Sequence, residues 1–361
     1  MAEFFEKNGK LLADFARMSR QAGARADYVQ GGGGNTSVKL ADGLMAIKAS
    51  GYCLKDVAPD KCYAVLDANA LRDFYFGNEP ESLSDVEQQG AACAKENTKT
   101  VDGLEPLRPS VEAGFHSILK TFVLHTHSVY ANLAACSTAC REIAAAAFSG
   151  ADYTWGWVPY TDPGANLTFA IRDELCRVEK ETGKIPSVIL MQNHGIIVHD
   201  ADADNCLAIH SDANERIAKQ FGLTGDTFPE TAVEEMAAGV YAAAAPYLRR
   251  QLRSGKHTQK SLLEEPLYPD QMVFLTDTFF MDAANLADGQ CVASSKTGHM
   301  LMKMPQKKAQ TLVETLTAVF FIMENIQKSG YTVSTMGESA KKFIANWESE
   351  KYRKSLAGTT K

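Results

Sequence analysis

Apolar residues recur at helical spacing through the first twenty positions, with Phe5, Leu12, Phe15 and Met18 on one face and Gly23 placed to stop the helix. Residues 28 to 51 then read as a run of four glycines, a strand at TSVKL, a tight turn at Asp42-Gly43, a second strand at LMAIK and a turn at Ser50-Gly51. Residues 58 to 77 carry a strand-and-helix segment, and the polar stretch from about 79 to 106 reads as a surface excursion. Ser110 is suited to cap a short helix running through Glu112 to Leu119, with the strand TFVLHTH directly after it. An Ala-rich helix is expected over about 128 to 147, and another after Asp162-Pro163-Gly164, ending near Gly183. The strands SVILMQ and IIVH flank an Asn-His-Gly turn and lead into a long helix over about 201 to 222. Beyond it, 230 to 253 reads as helical, VFL, CVASS and MLMKM as short strands, and 306 to 329 and 335 to 356 as helices.

At 361 residues the chain is long for one compact domain. The expected division is a catalytic domain over 1–239 and a smaller α+β extension over 240–361. Hydrophobic content of 45% and charged content of 22% suit a globular protein. A net charge of −7 with no Lys/Arg block argues against a nucleic-acid partner but leaves a small anionic substrate open. The first residues lack the basic and apolar regions of a signal peptide, and no run approaches the roughly 20 apolar residues of a membrane span. Eight cysteines include no CxxC pair, and Cys136 and Cys140 read as small core residues. A reduced, cytoplasmic setting without a membrane partner is therefore expected.

Candidate chemistry concentrates at the ends of two apolar strands. His125 and His127 end TFVLHTH, and in an extended strand alternate residues share a face, so both imidazoles project to one side. His194 follows SVILMQN. Three converging imidazoles leave coordination positions open, the pattern of a catalytic zinc site. Glu112, a short helix upstream, adds a carboxylate for proton transfer. His116, His199, His210, His257 and His299 have no spacing that singles them out. The four glycines before Asn35-Thr36-Ser37 allow positive φ and close approach of backbone to a ligand, and with Ser50-Gly51 and Ser110 they offer clusters of anion donors. The run is neither a dinucleotide fingerprint nor a P-loop, because it lacks the Gly-Lys-Ser/Thr ending and enters a strand.

Taken in order, GGGGNTSVKL, IKASG, RPSVEAGFH, LHTHS, VPYTDPG and QNHGIIV resemble the class II aldolase/adducin family across residues 25 to 200. Within it, these segments and NWESEKYRKSL near the C-terminus look closest to the aldolase portion of bifunctional rhamnulose-1-phosphate aldolase/lactaldehyde dehydrogenase proteins, without their dehydrogenase half. The resemblance implies an αβα sandwich around a central, mostly antiparallel sheet, assembled as a homo-oligomer, with a tetramer favoured. It implies Zn2+ or another divalent metal on His125, His127 and His194, Glu112 as the acid/base, and Asn35, Thr36, Ser50, Gly51 and Ser110 around the substrate phosphate. Val111 departs from the pattern by standing where fuculose-type aldolases have a second serine, which removes one anion donor. The family's tyrosine proton donor has only Tyr153 and Tyr160 as candidates. The expected activity is cleavage of a ketose 1-phosphate, a small sugar phosphate, into dihydroxyacetone phosphate and an aldehyde through a metal-bound enediolate. The alternatives on the same site are a pentose-phosphate 4-epimerase, a 3-oxo-sugar-acid phosphate decarboxylase, or an adducin-like binding protein without activity. Trp347, Tyr352 and Arg353 are candidates to cover a neighbouring subunit's site, beside the plainer role of a packing helix.

Overall fold

The computed structural model describes residues 2–225 and 227–346. Helix α1 (Ala2–Gly23) precedes strands β1 (Asn35–Lys39), β2 (Leu44–Lys48) and β3 (Tyr63–Asp67), and α2 (Ala68–Gly77) follows. The polar excursion contains α3 (Val86–Glu96) and a two-residue strand β4 (Thr98–Lys99). Its helix is not a solvent ornament. Glu87 accepts the first N–H groups of a later helix, from Ala165 at 2.9 Å and Asn166 at 2.8 Å, and so caps it from outside.

Next come α4 (Ala113–Ile118), β5 (Phe122–Thr126), α5 (Val129–Ala135), α6 (Cys140–Ala147), β6 (Trp155–Val158), α7 (Ala165–Thr182), β7 (Val188–Met191), β8 (Gly195–Asp200) and α8 (Ala203–Gln220). The expected Ala-rich helix over 128–147 is broken at residues 136–139. There Ser334 N donates to Cys136 O at 2.7 Å and Thr138 N to Thr332 O at 3.0 Å, so a C-terminal segment takes the backbone groups a continuous helix would use. Cys136 therefore ends one helix and Cys140 begins the next, and both are buried and free.

The eight strands form one sheet in the order β4-β3-β2-β1-β5-β8-β7-β6, antiparallel throughout except for β6 with β7. Alternation along the strands feeds two layers. Leu124, Leu190 and Val198 pack toward α1, α5, α6 and α8, whereas Val123, Ile189 and Ile197 pack toward α4 and α7. Met45 and Ile47 continue the second layer under α2. The expected αβα sandwich with a mostly antiparallel sheet is thus what the chain forms.

The remaining chain builds a second, five-stranded sheet in the order β11-β12-β13-β10-β9. Its strands are β9 (Val233–Ala237), β10 (Val240–Ala243), β11 (Phe279–Met281), β12 (Cys291–Ala293) and β13 (Met300–Lys303). The helices around it are α9 (Pro246–Leu252), α10 (Gln259–Glu264), α11 (Pro269–Leu275), α12 (Gln306–Lys328) and α13 (Glu338–Asn346). Two expectations are corrected here. Residues 233–243 form a hairpin turned by Gly239 at φ +72°, not a helix, because pairing of β10 with β13 outweighs the helix propensity of the alanines. VFL lies in α11, which Pro269 starts as the first helical residue. Helix α12 packs on α5, so one apolar core runs from α1 through to Ile326. Trp347, Tyr352, Arg353 and the far end of the expected last helix lie outside the described residues. Among the described residues, no helix is long and apolar enough to cross a membrane.

Candidate metal centre

β5 carries His125 on the face toward α4, and the chain continues extended far enough to bring His127 to the same side. The turn between β7 and β8 supplies His194 from the neighbouring hairpin. Gly195 is required beside it, because a Cβ there would collide with the carbonyl oxygen of Thr126. The three rings are buried, with centroids 4.9 to 5.0 Å apart, and their ligand atoms all lie within 4.8 Å of one another.

The hydrogen bonds assign the tautomers. His125 Nδ1 donates to Ile196 O at 3.0 Å, and His127 Nδ1 donates to Asp270 Oδ2 at 2.6 Å. Burial pulls the His125 pKa down to about 4, so that ring is neutral at physiological pH. With each Nδ1 donating, a neutral ring presents its Nε2 lone pair, and the Nε2 atoms of His125 and His127 face each other at 3.1 Å. Two acceptors so close repel unless a cation sits between them. The donor set therefore fits a divalent metal, three neutral nitrogens with positions left over.

Glu112 closes the group. Its Oε1 lies 3.3 Å from His194 Nε2, and its Oε2 lies 3.7 Å from His125 Nε2 and accepts from Asn35 Nδ2 at 2.6 Å. Asn35 is placed by register, directly opposite His125 in the β1–β5 pair. Its amide also donates to Ser110 Oγ at 3.1 Å, and its Oδ1 accepts from His116 Nε2. Ser37 Oγ in turn meets His116 Nδ1 at 2.7 Å. Burial holds the His116 pKa well below its ordinary value, so a neutral imidazole locks the orientation of Asn35. His116 is a participant that spacing did not reveal; its pairing with residues of a distant strand is tertiary.

Ser110 lies just before α4, and its Oγ also accepts from Glu112 N at 3.3 Å. Ser50, Gly51, Ser110 and the buried Lys48 line a small cleft together with Glu112, His127 and His194. The Ser50 N–H is taken by Arg108 O at 3.0 Å, whereas Gly51 holds a left-handed φ of +86° that favours glycine. Thr36 is the correction. Strand alternation turns it to the opposite face of β1 from Asn35, where its Oγ1 lies 2.6 Å from Ser19 Oγ in the fully buried layer under α1. Its side chain does not reach the cleft. The Tyr153 hydroxyl is also occupied elsewhere, donating to Asp212 Oδ2 of α8 at 2.8 Å, and Tyr160 packs in an apolar cluster with Val273 and Met336. The tyrosine against the histidines is Tyr268, whose ring centroid lies 6.2 Å from that of His127.

The C-terminal region enters this site from several directions. Asp270, fully buried at the start of α11, supplies the carboxylate on His127. Asn193 Nδ2 donates to Leu267 O at 2.8 Å and Ser334 O at 2.9 Å, which fixes the turn bearing His194. Two of the four glycines answer to the same region. A Cβ on Gly31 would strike Thr311 of α12, and one on Gly33 would strike Asp270 Oδ2. Gly31 and Gly33 thus seat the C-terminal region, while Gly32 and Gly34 line the cleft. A carboxylate behind a ligating imidazole fixes the ring and raises its basicity. Asp270→Asn should therefore lower the affinity for a divalent metal roughly 10- to 100-fold, read by competition with a chromogenic chelator; unchanged affinity would show that Asp270 serves packing alone.

The family model for the class II aldolase and adducin N-terminal domain matches residues 13–220. No curated protein matches the chain significantly. Among solved structures, the N-terminal class II aldolase domain of a conserved protein from Thermoplasma acidophilum is 19% identical, covers 57% of this chain and 91% of its own, and superposes with a TM-score of 0.47. Sugar-phosphate aldolase from Thermotoga maritima is 14% identical over 59% of this chain and 96% of its own, with a TM-score of 0.40. L-fuculose-1-phosphate aldolase from Thermus thermophilus is 14% identical over 58% and 92%, with a TM-score of 0.35.

Proposed function

The chain belongs to the class II aldolase and adducin family, and we propose that it is a zinc-dependent carbon–carbon lyase that cleaves a ketose 1-phosphate of the rhamnulose or fuculose type into dihydroxyacetone phosphate and an aldehyde. The observation that carries this reading is the convergence of His125, His127 and His194, with the first two Nε2 atoms 3.1 Å apart and Glu112 beside them. A divalent cation on His125, His127 and His194 would polarise the substrate carbonyl and offset the negative charge left when the carbon–carbon bond breaks.

The chain's own groups do the rest. In retro-aldol cleavage the hydroxyl proton of the departing carbon is lost, the bonding pair moves toward the carbonyl, and the remaining three-carbon fragment takes a proton on carbon. Glu112 is the proton carrier, because its carboxylate is the acid/base group that faces the histidine cluster with one oxygen held still by Asn35. Ser110 and His116 hold Asn35, so the carboxylate is oriented before substrate arrives. The buried surroundings limit water around the developing charge.

The test pairs metal analysis with incubation of the zinc-loaded protein with ketose 1-phosphates, pentose 5-phosphates and phosphorylated 3-oxo acids. Formation of dihydroxyacetone phosphate from a ketose 1-phosphate supports cleavage. Epimerised pentose phosphate or released carbon dioxide with no triose phosphate would replace the lyase by its sister chemistry on the same site.

A further inference from the structure

The second sheet buries one face and leaves the other uncovered by any described element. Inward, Cys291, Ala293, Met300 and Met302 lie in the main core. Strand alternation sends their neighbours to the opposite side. Register aligns four of these across the sheet: Phe280 stands beside Val292, Val292 beside Leu301, and Leu301 beside Ala242. Val240 lies one step along β10 on the same side, and Met236 is the extra residue of the bulge in β9. None of these six joins a core cluster of the described residues. Leu301 is 40% exposed and Met236 64%.

A sheet with one solvated face ordinarily alternates apolar residues inward with polar residues outward. Here each of the five strands turns an apolar residue outward, and contiguous apolar surface of this kind marks a site of association. The charges say with what. Of the residues these strands turn outward, only Glu234 of β9 and Lys303 of β13 are charged, and they stand on either side of β10. One acid and one base make a neutral face on a chain of net charge −7, and a face complementary to itself. A lipid surface would call for several lysines or arginines around the apolar residues, and this face has one. Lys303 reaches Asp288 at 2.8 Å and keeps N–H donors for a second carboxylate.

We propose that the outer face of the second sheet is a two-fold interface with a second copy of this chain. A two-fold axis in the plane of the face, crossing β10 between Val240 and Ala242, sets Lys303 of each copy against Glu234 of the other. With strands about 4.8 Å apart and a rise of about 3.4 Å per residue, that axis also brings the two Leu301 side chains together. The strands of the two sheets then cross steeply, as in orthogonal sheet packing. The interface lies wholly within residues 234–303, outside the stretch matched by the family model, so it follows neither from family membership nor from the lyase reading.

Sedimentation velocity of the full chain over a range of concentrations tests it. Wild type should form particles with an even number of chains. Leu301→Glu, at an exposed position, should halve the particle mass and raise the dissociation constant roughly tenfold or more, because association would bury two carboxylates close together. Glu234→Lys and Lys303→Glu should each weaken association, and the two changes combined should restore it, a recovery that damage to the fold would not give. Leu301→Cys should yield a disulfide-linked dimer under mild oxidation, with wild type, whose Cys176 is exposed, as the control. Wild type that stays monomeric, or a particle mass unchanged by Leu301→Glu, would overturn the interface. A halved mass with neither charge-exchange recovery nor a Leu301→Cys cross-link would overturn the two-fold arrangement.

Discussion

His127→Ala is expected to abolish stoichiometric zinc and turnover together. Three nitrogens converge here, and removal of one leaves two protein ligands where a catalytic zinc ordinarily keeps three. The loss reaches beyond the ion. Asp270 is fully buried and would lose its 2.6 Å partner, a change of the kind that costs about 3–5 kcal/mol when one member of a buried pair is removed. A second variant separates the two effects. In His127→Asn the side-chain amide can stand near the position of Nδ1 and still donate to Asp270, but it places no nitrogen at the Nε2 position. It should melt near the wild-type temperature and still hold no zinc. Elemental analysis after dialysis, with thermal unfolding of the same samples, gives both readouts. Full zinc and full turnover in the alanine variant would remove the metal site.

The parts of this site that were legible beforehand are those governed by short periods. A two-residue spacing puts His125 and His127 on one side, and an Asn-His-Gly turn after an apolar strand puts His194 at a sheet end. The same rule shows why Thr36 is not part of the cleft. It alternates with Asn35, and only one of two neighbours on a strand can face α4. The sandwich was legible for a similar reason, since each long element announced its own period. The C-terminal region was not. Asp270 lies 143 residues from His127, and no local pattern marks an aspartate as the partner of a distant imidazole. The alanines of 233–243 favoured helix locally and were overruled by a strand partner far along the chain, β13. Gly33 could be seen as a position needing no side chain, but what fills the space, a carboxylate from α11, is a tertiary fact. The glycine run therefore pointed to close approach correctly and left its object open.

The second large effect expected is at Glu112. Glu112→Gln preserves shape and keeps an oxygen able to accept from Asn35 Nδ2, so the turn through Ser110 should hold. It removes the capacity to carry a proton between substrate atoms. Three histidine nitrogens remain, and zinc should stay bound at one per chain. Turnover should fall about 10²- to 10⁴-fold, the range ordinarily lost with a general acid/base, with KM changed much less. A partial reaction isolates the step: dihydroxyacetone phosphate incubated with wild type in deuterium oxide should exchange a carbon-bound hydrogen, and the glutamine variant should not. This separates proton transfer from cleavage and from substrate binding. Exchange at the wild-type rate in Glu112→Gln would move the proton to another group. Loss of zinc in that variant would instead make Glu112 a ligand. Its 3.3 Å approach to His194 Nε2 would then be the mark of a carboxylate that shares the metal in the resting protein and is released when substrate oxygens take its place.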